Sequence, residues 1–189
     1  AAIWRSGATG VLATVVRTID SAPRQPGAAL VVAPDGSVSG SVSGGCVEGA
    51  VYESALEVRA SGRPRLERFG FSDDDAFAVG LTCGGILDVF VEPVSQATFP
   101  HLDLVLDEIA ARRPVAIATV IAHPDPTRIG GRLVLGATIA AGTLGSERAD
   151  AAVTDDARGM LASGRTEVLT YGPDGQRLGA GMAVFVASH

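Results

Sequence analysis

The sequence of 189 residues has no excess of basic charge, no long apolar run and only two cysteines. Its 21 acidic residues outnumber its 15 basic ones and give a net charge of -6. Nucleic-acid binding needs a broad basic surface, and this balance argues against one. No apolar stretch approaches the ~20 residues that cross a bilayer, so we predict no membrane span. Two cysteines do not make the disulfide framework of a small secreted domain, and we expect reduced thiols in the cytoplasm.

Aromatic residues are also scarce, at 5% of the chain, whereas hydrophobic residues reach 47% and are mainly alanine, valine and leucine. This composition is typical of tightly packed α/β layers rather than of a disordered segment. A chain of this length forms one large or two small domains with enough apolar surface to fold unaided. The sequence opens Ala-Ala-Ile-Trp and not with methionine, so we expect that part of the amino terminus is missing.

The two halves of the sequence repeat one another in the same order. The matched segments are 13–16 with 118–121, Arg24 with Arg128, 40–42 with 142–144, 60–63 with 162–165, and Phe69-Gly70 with Tyr171-Gly172. The sequence Ala-Ser-Gly-Arg at 60–63 is identical in both copies. Ordered matches of this kind indicate an internal duplication, so we predict two tandem units with one fold.

Each copy contains the pattern of three strands, a helix and two further strands. A β-branched run predicts the first strand, and Pro34-Asp35-Gly36 has the composition of a hairpin turn. Apolar residues then recur every three or four positions until Gly62 or Gly164, which predicts a helix with a glycine at its carboxyl end. We therefore predict an α/β (α+β) fold of two tandem βββαββ-like units, related by internal duplication, whose sheets are covered by helices.

An apolar face at about 101–112, followed by Pro114, predicts a helix between the copies. We place the first repeat at 1–93, the connecting segment at 94–113 and the second, degenerate repeat at 114–189. In the register of the repeat, the counterpart of this helix falls mostly before residue 1, so the chain is expected to begin inside a helix.

The copies differ at two places, and a site that needs particular side chains is expected where a shared scaffold differs. The segment Ser-Gly-Gly-Cys-Val-Glu at 43–48 has neither a paired glycine nor a thiol in its counterpart at 145–150. The first copy also carries an insertion before its last strand, which contains Thr82-Cys83-Gly84-Gly85. Both differences place a thiol beside a glycine pair in the first copy alone.

Gly44-Gly45-Cys46 lies where the hairpin leads into the helix. Backbone N–H groups and the positive end of the helix dipole converge at such a place and favour anions. Two glycines let a bulky anion such as phosphate approach the main chain, and the dipole makes a cysteine thiolate more available. The alternative is a tight turn whose glycines only supply unusual dihedral angles and whose Cys46 is a small buried hydrophobe.

Cys83-Gly84-Gly85 repeats the combination of a thiol and a glycine pair, and we predict that it lines one cleft together with Gly44-Gly45-Cys46. Zinc is a weaker alternative, since two widely separated cysteines and three scattered histidines do not have the spacing of zinc sites. A disulfide between the two cysteines is a third alternative, which a reducing cytoplasm disfavours.

Arg24 lies in a loop made rigid by two prolines and a glycine, where its guanidinium would suit a phosphate. The alternative is that the arginine closes this loop over backbone carbonyls, and its survival as Arg128 in the second copy favours that role. Glu48, in the first turn of the predicted helix, is an acid that the helix dipole favours.

Five motifs stand in order along the first copy: Ala-Thr-Val-Val at 13–16, Ser-Ala-Pro-Arg at 21–24, Pro-Gly-Ala at 26–28, Ser-Gly-Gly-Cys-Val-Glu at 43–48 and Gly-Leu-Thr-Cys-Gly-Gly at 80–85. Together they resemble the XdhC/CoxI family, strongly over about 10–93 and more weakly in the second copy. The resemblance implies the amino-terminal part of an accessory factor for xanthine dehydrogenase or carbon monoxide dehydrogenase. Such factors bind the molybdenum cofactor, protect it during sulfuration and help to insert it into molybdenum hydroxylases.

The resemblance also implies a set of cofactor-binding residues, with no catalytic residue and no resident metal: Arg24, Gly44, Gly45, Cys46, Glu48, Cys83, Gly84 and Gly85. The implied ligand is molybdenum cofactor (molybdopterin), bound transiently, and the implied client is the large subunit of a molybdenum hydroxylase. A cysteine desulfurase and a second copy of the chain are further implied partners. Many family members continue into a Rossmann-like carboxyl-terminal domain, which is expected to be absent or truncated here.

Two other functions stay open on the residues alone. A thiol-dependent sulfur-transfer or redox enzyme would use Cys46 or Cys83 as its nucleophile, although no histidine or other clear base lies near either in sequence. An interaction scaffold with decayed sites is the second, and the intact motifs of the first copy argue against it.

Overall fold

The computed structural model describes residues 1–20, 22–70 and 85–189. Apart from Ala1, the chain divides into two compact units, Ala2–Thr98 and Phe99–His189, which we call the first and the second unit. Each has a five-stranded antiparallel sheet with helices, so the fold is α+β, as predicted. None of the helices in the described ranges combines the length and the apolar character that crossing a bilayer requires.

The first unit is built from two helices and one sheet. Its elements are α1 (Ala2–Arg5), β1 (Gly10–Ile19), β2 (Ala29–Val32), β3 (Val38–Gly40), α2 (Glu48–Ser61), β4 (Arg65–Phe69) and β5 (Ile86–Val94). The strands lie in the order β3-β2-β1-β5-β4, and every neighbouring pair is antiparallel. The first strand is therefore central, and the hairpin β2–β3 lies on one side of it.

The second unit repeats this arrangement. Its elements are α3 (Leu102–Ala110), β6 (Val115–Ala122), a short 3-10 helix (Pro126–Arg128), β7 (Arg132–Gly136), β8 (Ala140–Thr143), α4 (Glu147–Ser163), β9 (Glu167–Tyr171) and β10 (Met182–Ser188). The strand order β8-β7-β6-β10-β9 has the same topology as the first sheet. The predicted βββαββ series is therefore confirmed in both units.

The central strand of each sheet carries a bulge at the same place in the repeat. The pairing of β1 with β5 skips Val16, and the pairing of β6 with β10 skips Ile121. Both side chains are nearly buried, at 2% and 3% exposed. A bulge adds a residue to one strand and bends it without removing an apolar side chain from the core. Its presence in both units supports a common origin of the two sheets.

One long helix covers a face of each sheet. In the first unit, Val51, Ala55 and Val58 of α2 are fully buried and pack with apolar residues of β1, β2 and β5. In the second unit, Val153 and Ala157 of α4 pack in the same way. This repeat of three or four residues is the pattern that predicted the helices.

Glycines end both long helices, as predicted. Gly62 has a φ of 69°, and its N–H donates to the Val58 carbonyl. Gly164 has a φ of 64°, and its N–H donates to the Leu161 carbonyl. The left-handed conformation costs a glycine little and satisfies a carbonyl that the helix would otherwise leave unpaired.

One glycine at the end of each hairpin, at matched positions in the two units, fixes the path of the chain out of that hairpin. Gly40 and Gly142 have φ values of 94° and 93°. A Cβ at Gly40 would lie 2.2 Å from the Ala29 carbonyl oxygen, and one at Gly142 would lie 2.2 Å from the Arg132 carbonyl oxygen. Only glycine fits such a position. The chain therefore leaves β3 and β8 along the same path, toward α2 and α4.

Candidate functional site

The loop between β3 and α2, which we call the 41–47 loop, is held to the core at both ends. Val42 and Val47 are 0% and 1% exposed. The glycine pair and the thiol between them, Gly44-Gly45-Cys46, are exposed. The loop therefore turns its two valines inward and presents the glycines and the cysteine at the surface. The alternative in which Cys46 is a buried hydrophobe is wrong.

The glycine pair is required by the backbone and leaves the surface above it open. Gly44 has a φ of 76° and Gly45 a φ of 117°, both in the left-handed region that side chains disfavour. A Cβ at either position would have no heavy atom of the described residues within 4 Å. A flat or bulky group could therefore approach this stretch of main chain closely.

Glu48, the first residue of α2, folds its carboxylate back over the loop. Its Oε1 accepts hydrogen bonds from the N–H groups of Ser43 at 2.9 Å and Gly44 at 3.0 Å. The Val42 N–H reaches the same oxygen at 3.3 Å, and the Gly45 N–H donates to Oε2 at 2.8 Å. Four consecutive amides thus point at one carboxylate, which is the geometry of an anion-binding nest.

Two serine hydroxyls complete the contacts of this carboxylate. Ser41 donates to Oε1 at 2.7 Å, and Ser43 donates to Oε2. The buried Ser43 hydroxyl also accepts the Val47 N–H at 2.9 Å, which links the loop to the start of α2. Burial alone would raise the pKa of Glu48, but the hydrogen bonds from Ser43 and Ser41 outweigh it and lower this pKa to about 2. The carboxylate is therefore ionised at neutral pH.

The structure differs here from the picture drawn from the sequence. The sequence predicts backbone N–H groups available to an external anion, whereas the amides of Gly44 and Gly45 already donate to Glu48. An acid in the first turn is favoured by the helix dipole, and Val47 at the N-cap position supplies no side-chain hydrogen bond. Glu48 is thus an internal anion for the helix end. An external anion would have to displace it to reach these amides.

The second unit contains a reduced version of the same arrangement. Asp150 accepts the Thr143 hydroxyl at 2.8 Å and the Leu144 N–H at 2.6 Å. The Gly145 N–H donates to the Thr143 hydroxyl at 3.0 Å, and Ser146 caps α4. Sequence reasoning missed this carboxylate contact in both copies. The available signal was a hydroxyl residue at the end of the hairpin and an acid in the first helical turn, at matched positions.

The two matched arginines have different surroundings. Arg24 is exposed in the segment between β1 and β2. Arg128 lies against the loop of the second unit, since a Cβ at Gly145 would be 3.2 Å from its Nε and 3.3 Å from its Cδ. Its Nη1 is buried without a hydrogen-bond partner among the described residues. The second unit therefore covers its loop with its own arginine, whereas the glycine pair of the first unit is open.

The remaining predicted site residues lie partly outside the described residues. This holds for Cys83 and Gly84, so the predicted meeting of the two glycine-cysteine loops stays a prediction. Gly85 is described and buried, and a Cβ at Gly70 would lie 2.6 Å from its carbonyl oxygen. Within residues 1–20, 22–70 and 85–189, no group of three or more His, Cys, Asp or Glu side chains is placed to hold a metal ion.

Comparison with known families identifies the chain. The model of the XdhC and CoxI family matches residues 3–70 and 108–172, which is more than half of the sequence. The chain belongs to the XdhC and CoxI family. The first matched segment contains Arg24, the 41–47 loop and Glu48, and the second contains the corresponding loop and Asp150.

Individual relatives agree with this assignment. The chain is 37% identical over 134 residues to the molybdenum cofactor insertion chaperone PaoD of Escherichia coli (strain K12), a match that covers 68% of this chain and 41% of that protein. It is 34% identical over 99 residues to a probable xanthine dehydrogenase subunit of Bacillus subtilis (strain 168), covering 51% of this chain and 30% of that protein. A crystal structure described as a xanthine dehydrogenase from Bacillus halodurans matches with a TM-score of 0.60 and 26% identity, over 73% of this chain and 41% of that one. The chain thus spans less than half the length of these relatives.

Proposed function

We propose that this chain is a chaperone of the molybdenum cofactor, which it binds transiently, protects during sulfuration and helps to insert into a molybdenum hydroxylase. The observation that carries the proposal is the 37% identity, over 134 residues, to a protein named as a molybdenum cofactor insertion chaperone. Family membership and the relative named as a probable xanthine dehydrogenase component support an enzyme of the xanthine dehydrogenase type as client. In this proposal the chain supplies binding, and the client supplies catalysis.

The surface of the first unit has features that suit the binding of molybdopterin. The bare backbone at Gly44 and Gly45 suits the close approach of a flat pterin, and the exposed Cys46 follows directly. Arg24 is exposed and offers the planar cation that phosphate favours. Because the amides of residues 42–45 donate to Glu48, we assign the phosphate of molybdopterin to Arg24 and the pterin to the glycine surface.

The proposal also includes three further binding residues and three partners. Cys83, Gly84 and Gly85 are proposed to line the same binding surface. The proposed partners are the large subunit of the client hydroxylase, a cysteine desulfurase that provides sulfur, and a second copy of this chain.

The deciding experiment is the recovery of the cofactor with the protein. The chain is purified from a host that makes molybdenum cofactor, and released pterin is measured by fluorescence while molybdenum is measured by mass spectrometry. The control is the same chain from a host strain that cannot make the cofactor. We expect pterin in the first preparation alone, and activation of an apo-hydroxylase on mixing. A preparation that contains no pterin, or that carries pterin but never activates the hydroxylase, would contradict the proposed function.

A further inference from the structure

We propose that Glu48 is a positioning residue, whose carboxylate holds the 41–47 loop in the shape that presents the glycine pair and Cys46, without contacting the cargo itself. The inference rests on the proposed function only for the identity of that cargo. Its basis is the set of hydrogen bonds around the carboxylate, its charge, and the comparison with the second unit.

The protein itself uses the full hydrogen-bond acceptor capacity of the Glu48 carboxylate. A carboxylate has about four lone-pair sites, two on each oxygen. Oε1 accepts from Ser41, Val42, Ser43 and Gly44, and Oε2 accepts from Ser43 and Gly45. All six donors belong to the loop that precedes the helix. The acceptor capacity of the side chain is therefore satisfied without a ligand, and its contacts fix the loop alone.

The charge of Glu48 leads to the same assignment. An ionised carboxylate repels an anionic cargo, and the bonds that it accepts also remove the loop amides as phosphate donors. A residue that bound the phosphate of molybdopterin directly would be expected to be a cation or a hydrogen-bond donor. The exposed part of the loop is Gly44 to Cys46, where a cargo would meet the open backbone and not the carboxylate. Recognition by shape at the glycines and by charge at Arg24 is consistent with this geometry.

The second unit provides a natural comparison. Asp150 occupies the position of Glu48 with a side chain one methylene shorter, and it accepts from Thr143 and Leu144. The Gly145 N–H, which corresponds to that of Ser43, donates to the Thr143 hydroxyl instead. The carboxylate frame is thus present in a unit that lacks the glycine pair and the thiol. We infer that the frame belongs to the loop architecture, and that the longer acid of the first unit extends it to Gly45.

The test compares Glu48→Gln and Glu48→Asp with Asp150→Asn as the matched control, all in a Cys83→Ser background so that Cys46 is the remaining thiol. Hydrogen exchange of the Val42, Gly44 and Gly45 amides is measured by NMR, and the alkylation rate of Cys46 is measured with iodoacetamide. Replacing a charged acceptor by a neutral one weakens each bond, so Glu48→Gln should accelerate both by about tenfold. Glu48→Asp should free Gly45 while Val42 stays protected, as Leu144 is bonded to Asp150. The control should leave all these rates at the unsubstituted values.

Pterin content, measured for the same substitutions in the chain that keeps Cys83, then separates this inference from the proposed function. Unchanged exchange and alkylation in Glu48→Gln, together with loss of bound pterin, would overturn the positioning role and make Glu48 a direct contact. Changed loop rates with full pterin content would uphold the loop role and refute the placement of the cargo on this loop. An unsubstituted chain without pterin would refute the proposed function, and the loop rates would still decide the role of Glu48. Urea melts identify any variant that fails to fold. If Glu48→Gln fails to fold, the same measurements on Glu48→Asp decide the role of Glu48.

Discussion

The low pKa of Glu48 makes the stability of the protein depend on pH in a defined window. The pKa is about 2 in the folded chain against an ordinary value of 4.5. Because folding lowers this pKa, the contribution of the carboxylate is fully present above pH 4.5 and is lost as the pH falls toward 2. The difference between the two values corresponds to at most about 3 kcal/mol. Screening by solvent at the surface of the loop reduces the expected contribution to about 1–2 kcal/mol.

Glu48→Gln removes this contribution and leaves the shape of the side chain unchanged. We expect the free energy of unfolding in urea to fall by about 1–2 kcal/mol at pH 7, with the same loss at pH 5.5. The gap between the two proteins should then close between pH 4.5 and pH 2. Glu53→Gln, at an exposed position of the same helix, is the control and should change stability by less than about 0.5 kcal/mol at any pH. A gap that is as large at pH 2.5 as at pH 7 would refute the reasoning.

Three further predictions concern the hairpin exit, the arginine and the thiols. Gly40→Ala should lower the free energy of unfolding by at least about 3 kcal/mol, because its Cβ would meet the Ala29 carbonyl. Gly44→Ala should lower it by only about 1–2 kcal/mol, because the only cost is the left-handed dihedral angle, and equal losses in urea melts would contradict this. Arg24→Ala should weaken cofactor binding by about 1.5–3 kcal/mol in a titration of the apo-protein, with the exposed Arg63→Ala as control, and an unchanged Kd would assign Arg24 to loop structure. Cys46→Ser and Cys83→Ser should keep the melting temperature yet deliver less active cofactor to an apo-hydroxylase. Full delivery by the double variant would exclude thiol chemistry.

The elements of the fold were predictable because their signals are local. The stripe of Val51, Ala55 and Val58 needs only helical periodicity, and Gly62 needs only its position after that stripe. Duplication then provided each pattern twice. The bulge at Val16 has no such signal, because skipping a residue depends on how the neighbouring strand pairs. Both β1 and β6 appear in the sequence as mainly apolar runs with no break at the bulge.

The place of the 41–47 loop in the fold was predictable, but its hydrogen bonding was not. The glycine pair and Cys46 mark the loop, yet the fold-back of Glu48 depends on the φ values of Gly44 and Gly45, which turn the amides inward. The two arginines show the same limit. Arg24 and Arg128 match in sequence, but Arg128 packs where Gly145 leaves space, and the first unit has Ser43 at that position. Such differences arise from contacts between segments and not from a local pattern.

In each unit a carboxylate in the first helical turn holds the preceding loop, although the residues of the two loops differ. Positions 43–46 of the first unit and 145–148 of the second are held at the same two points, a hydroxyl at the hairpin exit and an acid in the first helical turn. The residues between these points are not interchangeable, because a Cβ at Gly145 would lie 3.2 Å from Arg128 Nε and because Ser146 caps α4. The anchor is therefore common to the two units, whereas the surface that each loop presents is its own.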